Sequence, residues 1–133
     1  MPELRDLFDA PFVEGGRDPE TGLDCWGLSR EVMRRYGHDV PDFAQAIYDA
    51  LEINGHYKNA LRNPQWLSIP EAEPGCIVAM ACDPELPGII QHVGVYIGDF
   101  RVIHTLGKLN VSTFRLDDRF WGKKIKGFYR WVR

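Results

Sequence analysis

Residues 92–106, HVGVYIGDFRVIHTL, constrain the fold more than any other stretch. Two runs with apolar residues at every second position flank Gly98-Asp99, a pair suited to a tight turn, so the stretch reads as a β-hairpin. Val93, Val95, Ile97 and Ile103 share one face, which needs a core to cover it. His92, Gly94, Tyr96 and His104 share the other. A turn centred near Gly98 opposes His92 to His104, Gly94 to Val102 and Tyr96 to Phe100. Opposed residues have Cβ atoms roughly 4.5–5.5 Å apart. One face therefore carries two adjacent imidazoles, and Gly94 beside them lets another element come close.

A sheet of this kind needs layers around it. CIVAMA (76–81) is a continuous apolar run, as in a buried strand. VSTFRL (111–116) and KIKGFYRWV (124–132) read as further strands. The helical signals come earlier. Residues 1–10 suggest a short helix with Leu4, Leu7 and Phe8 on one side. Residues 25–36 suggest a longer one, with Asp24 as N-cap and Gly37 as stop. Cys25, Leu28, Val32 and Tyr36 form its inner stripe. Residues 41–61 read as one or two helical pieces broken at Asn54-Gly55, and 117–122 as a single helical turn. Residues 11–22, 63–75 and 83–91 read as loops. Helices before strands indicate an α+β fold with an antiparallel sheet. The 133 residues suit one domain, 1–133, with no repeat or linker.

Composition narrows the function classes. The net charge is −3 and no basic block stands out, which argues against a nucleic-acid partner. No apolar run approaches the roughly 20 residues of a membrane span, so no membrane partner is expected. The opening MPELRDLFDAPF lacks the pattern of a signal peptide, and cytoplasmic synthesis is the expectation. Cysteines stand at 25, 76 and 82 with no C-x-x-C, so no zinc knuckle or redox pair is suggested. Cys76 and Cys82 flank an apolar run and read as buried thiols. His38 and His56 read as surface residues.

Cys25, His92 and His104 carry the chemistry. Taken singly, a cysteine on an inner stripe is core, and a histidine at a strand start is a hydrogen-bonded edge residue. Together they read as a nucleophile, a general base and acid, and an orienting residue. A helix N-terminus lowers a thiol pKa, and an imidazolium lowers it further, so a thiolate–imidazolium pair is expected. The Cys25 backbone N–H is placed to help hold an oxyanion. Asp24 opposes the thiolate by its charge and reads mainly as a cap. Trp26 is core packing or the wall of a cleft. Zinc is the other functional reading, but no fourth ligand is evident, so metal and cofactor are both expected to be none.

LDCWGLSREVMRRYG (23–37), EPGCIVAM (73–80) and HVGVYIGDFRVIHT (92–105) together resemble the NlpC-type cysteine peptidases of bacterial cell walls. The blocks match that family's D-C-S/W-G-L, P-G-D-L/I-V and H-V-G patterns in order, with a polar residue twelve positions after the first histidine. The resemblance implies a papain-like α+β fold in which the helix bearing the cysteine packs on an antiparallel sheet. It implies Cys25 as nucleophile, His92 as base and acid, and His104 as orienting residue. It implies hydrolysis of γ-D-glutamyl–diamino acid bonds in peptidoglycan stem peptides, without a cofactor. Trp26 after the cysteine, the ending KGFYRWV and the opening without an export signal resemble the phage or prophage tail-associated branch. That implies tail proteins as partners and a virion that carries the enzyme to the wall.

The chain also departs from the pattern. Where many members have a tyrosine upstream of Gly-Gly, near the oxyanion site, PFVEGG has Phe12 and no hydroxyl. Cys76 replaces the aspartate of P-G-D. Residues 38–70 do not align. Two alternatives therefore stay open: a tail-assembly module with the peptidase fold and little activity, or an acyl- or thioester-transferring relative.

Overall fold

Asp24 starts the main helix as its sequence predicts: its Oδ1 accepts the Gly27 N–H at 2.7 Å. The computed structural model describes residues 2–42, 54–55, 57–59, 62–86, 88–107 and 109–132. Helix α1 (Cys25–Arg35) ends at Tyr36, where Gly37 turns away at φ +91°. It follows a 3-10 turn (Arg5–Asp9) and a two-stranded ribbon, β1 (Arg17–Asp18) and β2 (Gly22–Leu23). Arg35 in the last turn of α1 bonds Asp6 at 2.6 Å and tethers the N-terminal turn to the helix.

Among the described residues, six strands form one antiparallel sheet: β3 (Trp66–Ile69), β4 (Ile77–Met80), β5 (His92–Tyr96), β6 (Arg101–Leu106), β7 (Leu109–Arg115) and β8 (Ile125–Trp131). Their spatial order is β3-β8-β4-β5-β6-β7. Period-two alternation gives the sheet two apolar faces. Ile77, Ala79, Val93, Val95 and Ile103 pack with Leu28 and Val32 of α1 in the main core. Val78, Met80, Val102 and Phe114 form a second cluster on the other face, covered by Trp121, Ile125 and Phe128. The fold is the expected α+β arrangement, with the cysteine-bearing helix on an antiparallel sheet.

The hairpin register differs from the expected one. Val95 opposes Ile103 and Tyr96 opposes Val102, two residues along from a turn centred at Gly98. Gly98, Asp99 and Phe100 all take positive φ (89°, 53° and 61°), making a three-residue connection closed by Ile97 N–H to Arg101 C=O at 2.9 Å. A shift of two preserves the faces. It moves His104 off the position facing His92. The element that comes close to Gly94 is β6 itself: a Cβ there would lie 2.7 Å from the Ile103 carbonyl oxygen and 3.2 Å from His104 Cβ.

Other expectations need correction. The 63–75 segment is not all loop: its WLSI forms β3, pairing Trp66 with Trp131 and Ile69 with Phe128. The 11–22 loop contains β1 and leads into β2. The N-terminal helix is one 3-10 turn that buries Leu7 and leaves Phe8 exposed. The helical turn expected at 117–122 forms later, as a 3-10 turn at Gly122–Lys124. Asn54 and Gly55 are themselves helical, as are 57–59; the residues that would show a break lie outside the described ones. Asn54 uses its side chain elsewhere, its Oδ1 accepting the Ile90 N–H at 2.7 Å. The rest of 43–61, His56 included, lies outside the described residues. His38 is half-buried rather than on the surface.

Candidate active site

Cys25 is the first residue of α1 and is 9% exposed. Its Sγ lies 3.2 Å from the Tyr57 hydroxyl, and the backbone of Val93 and Trp26 draws the thiol pKa down against burial. The thiol thus meets the sheet at the start of β5, beside the residue that follows His92. The imidazoles are on the face opposite α1. Helix α1 covers the Val93 face and does not lie over the histidines.

His92 and His104 are buried and bonded, with His92 Nε2 and His104 Nδ1 2.8 Å apart. They meet diagonally across the missing side chain of Gly94. Trp121 lies over both rings, with centroids 4.5 Å from His104 and 6.1 Å from His92, and Phe114 edges onto His104 at 4.9 Å. His92 Nδ1 is buried and has no hydrogen-bond partner among the described residues. A neutral His92 that accepts a proton at Nδ1 must carry its hydrogen on Nε2 and donate it to His104 Nδ1. The 2.8 Å bond accommodates that tautomer, the one a base at Nδ1 needs.

Burial sets the protonation states. It pushes the Cys25 thiol above its usual range, with the Tyr57 bond opposing the shift. It holds His92 down to about 3, helped by the neighbouring His104, and His104 down to about 4. The expected thiolate–imidazolium pair is therefore not the resting state. Desolvation outweighs the helix N-terminus, so burial favours a neutral thiol and neutral imidazoles. Cys76 and Cys82 are also raised by burial, both to about 11.

These histidines make stability depend on acid. Their folded pKa values lie below the unfolded value near 6.5, so the unfolded chain binds more protons as pH falls from 6.5 toward 3. Their contribution is complete above pH 6.5 and shrinks below it. The urea midpoint is expected to drop between pH 7 and pH 5, a window in which unfolded carboxylates scarcely titrate. An unchanged midpoint over that window would show the imidazoles are not held neutral.

The flanking residues take specific places. Asp24 is 3% exposed, accepts Gly27 N–H, Gly15 N–H at 3.1 Å and Arg17 Nη1 at 2.7 Å, and its charge adds to the upward push on the Cys25 thiol. It is a cap that also ties the 15–17 loop to the helix. Trp26 is buried and packs on Tyr57 and Trp66. With Ile90 and Val93 these aromatic rings line a small apolar cavity whose ≈ 10 Å³ of room holds barely one water. Phe12 bridges to Leu23 through the backbone. The hydroxyl at the sulfur comes instead from Tyr57, in the segment that did not align. No local signal marks Tyr57; only the fold brings it to Cys25. Trp121 was also not legible as a site residue. Among the described residues, no cluster of three or more His, Cys, Asp or Glu side chains is arranged to hold a metal ion.

Comparison with known proteins places this geometry. The model of the NlpC/P60 family matches residues 9–130. The chain belongs to the NlpC/P60 family. It is 28% identical over 130 residues to the bifunctional muramidase/DL-endopeptidase CwlT of Bacillus subtilis, covering 98% of this chain and 35% of that protein. It is 26% identical to the gamma-DL-glutamyl hydrolase of the same species, covering 96% of this chain and 28% of that one. The chain thus spans about a third of the length of these NlpC/P60 relatives. An NlpC/P60 family protein from Bacillus cereus shares the fold, with a TM-score of 0.64 at 21% identity over 99% of this chain and 41% of that one.

Proposed function

We propose that this NlpC/P60 domain is a cysteine peptidase that cleaves γ-D-glutamyl–diamino acid bonds in peptidoglycan stem peptides. The observation that carries the reading is the buried His92–His104 pair, whose His92 Nδ1 has no hydrogen-bond partner among the described residues, together with the buried Cys25 thiol at the start of α1. The DL-endopeptidase and gamma-DL-glutamyl hydrolase named among the relatives support the bond class.

In this mechanism His92 Nδ1 takes the Cys25 proton as the sulfur attacks the γ-carbonyl carbon of the glutamyl residue. The carbonyl electron pair moves to oxygen, and the Cys25 backbone N–H helps hold that oxyanion. Collapse breaks the C–N bond, and the departing amine takes the proton from His92. Water, deprotonated by His92, then cleaves the thioester and returns the thiol. His104 accepts the Nε2–H of His92 throughout and keeps its ring in place.

Digestion of purified peptidoglycan, with products read by mass spectrometry, tests the proposal. New γ-glutamyl-terminated fragments support it. Intact muropeptides with a folded, alkylatable Cys25 would move the function to another acyl substrate. The role of His104 has its own test. His104→Leu is expected to lower kcat on the order of 10²-fold by releasing the His92 ring, while His104→Asn keeps an acceptor and loses much less. Equal losses in both variants would remove the orienting role.

The proposal includes the tail-associated branch, with a virion delivering the domain to the wall. Trp26 after the cysteine and the closing residues Lys126–Val132 support that placement. Detection of the chain in purified virions, in contact with tail proteins, tests it.

A further inference from the structure

We infer that Tyr57 is a further catalytic group at the thiol: its hydroxyl donates a hydrogen bond to Cys25 Sγ and stabilises the thiolate as the proton leaves for His92. This rests on the peptidase reading only for what the thiolate then attacks. The bond is 3.2 Å long, and in the neutral site either atom can be its donor. Once sulfur loses its proton, only the phenol can donate. The bond then becomes charge-assisted and stronger, which favours the ionised state over the resting one. Burial pushes the Tyr57 phenol well above its usual range, so the hydroxyl keeps its hydrogen at neutral pH.

The phenol is held by more than the thiol. Tyr57 is 2% exposed, and its ring meets Trp26 edge-on at 6.3 Å. Three residues earlier in the chain, Asn54 Oδ1 accepts the Ile90 N–H at 2.7 Å, two residues before His92. The same approach to β5 that positions the imidazole therefore also positions the phenol. Donor, sulfur and base are referenced to one strand.

A competing reading makes the ring a cover that merely keeps solvent from the sulfur. The two readings predict different outcomes when only the hydroxyl is removed. The test is iodoacetamide labelling of the whole chain from pH 6 to pH 10, with each cysteine quantified by mass spectrometry. Tyr57→Phe keeps the ring and removes the hydroxyl. The pH midpoint for Cys25 is expected to rise by about one unit, and its labelling rate at pH 7.5 to fall about tenfold. Cys76 and Cys82 serve as internal standards and should label unchanged. An unmoved or lowered midpoint in Tyr57→Phe overturns the proposal. So does faster labelling in Tyr57→Ala with Tyr57→Phe like wild type, the signature of a cover. If Tyr57→Phe unfolds and all three thiols label quickly, Asn54→Ala loosens the anchor instead. It should raise the Cys25 midpoint in the same direction, and no rise there also overturns the proposal. The readout needs no substrate. A midpoint shift with uncut muropeptides would fail only the peptidase reading, and cut muropeptides with no shift would fail only the role of Tyr57.

Discussion

Cys25→Ala is expected to reduce muropeptide release by more than about 10³-fold while leaving the protein folded. Removing a covalent nucleophile deletes the step on which the rest of the machinery depends, and losses on the order of 10⁶ are known for such groups. The structural cost is small by comparison. The thiol is one buried atom, and its loss leaves Tyr57 without that partner, a penalty of about 1 kcal/mol against a total stability of roughly 5–15 kcal/mol. Activity and stability should therefore separate cleanly in this variant. Digestion products and the urea midpoint, measured on one preparation, check both halves. Retained hydrolysis would mean that another group attacks the bond. Lost hydrolysis with a large stability loss would mean that Cys25 had been read too chemically.

Gly27→Ala should have the largest effect on stability, although alanine is the better helix former. The intrinsic gain from Gly to Ala within a helix is about 1 kcal/mol. Against it, a Cβ on Gly27 would lie 2.0 Å from the Gly16 carbonyl oxygen. That oxygen belongs to backbone and already accepts the Asp24 N–H and Arg17 Nη1. Gly16 cannot retreat easily, since its own Cβ position is 2.3 Å from the Gly22 carbonyl oxygen. The clash must move either the 15–17 loop or the first turn of α1. The expected net loss is about 2–4 kcal/mol, and activity should fall as well because that turn carries Cys25. Gly55→Ala is the matched control: Gly55 is helical, a Cβ there meets nothing within 4 Å among the described residues, and the variant should be neutral or slightly stabilised. Urea midpoints of the two variants decide the point. A Gly27→Ala protein as stable as wild type would mean that the loop packs on α1 less tightly than its contacts imply.

What could be read from the chain followed from periodicity and caps. The 25–36 helix carried its own start and stop, Asp24 and Gly37. The faces of the hairpin followed from alternation, so the two histidines shared a side whatever the turn. The register did not follow, because Phe100, a residue that rarely takes positive φ, takes it here and lengthens the connection. Strand β3 was hidden because Trp66–Ile69 does not alternate: its two inner residues are exposed and its ends buried, between prolines. The protonation states were misjudged because the helix N-terminus is visible in sequence, whereas burial of the site is a property of the assembled fold. Tyr57 was invisible for the same reason. One tyrosine looks like another until the fold chooses which one reaches a thiol 32 positions away.

The strand order has a consequence for how the protein is made. β8 lies between β3 and β4, bonded to both, although some 45 residues of chain separate it from β4. During synthesis β3 therefore has no neighbour in the sheet until Ile125–Trp131 has left the ribosome. Helix α1 and the 92–106 hairpin emerge earlier and can meet first, while Trp66 waits for Trp131. Assembly thus waits on Ile125–Trp131, and the nascent chain exposes an unpaired edge until that strand arrives.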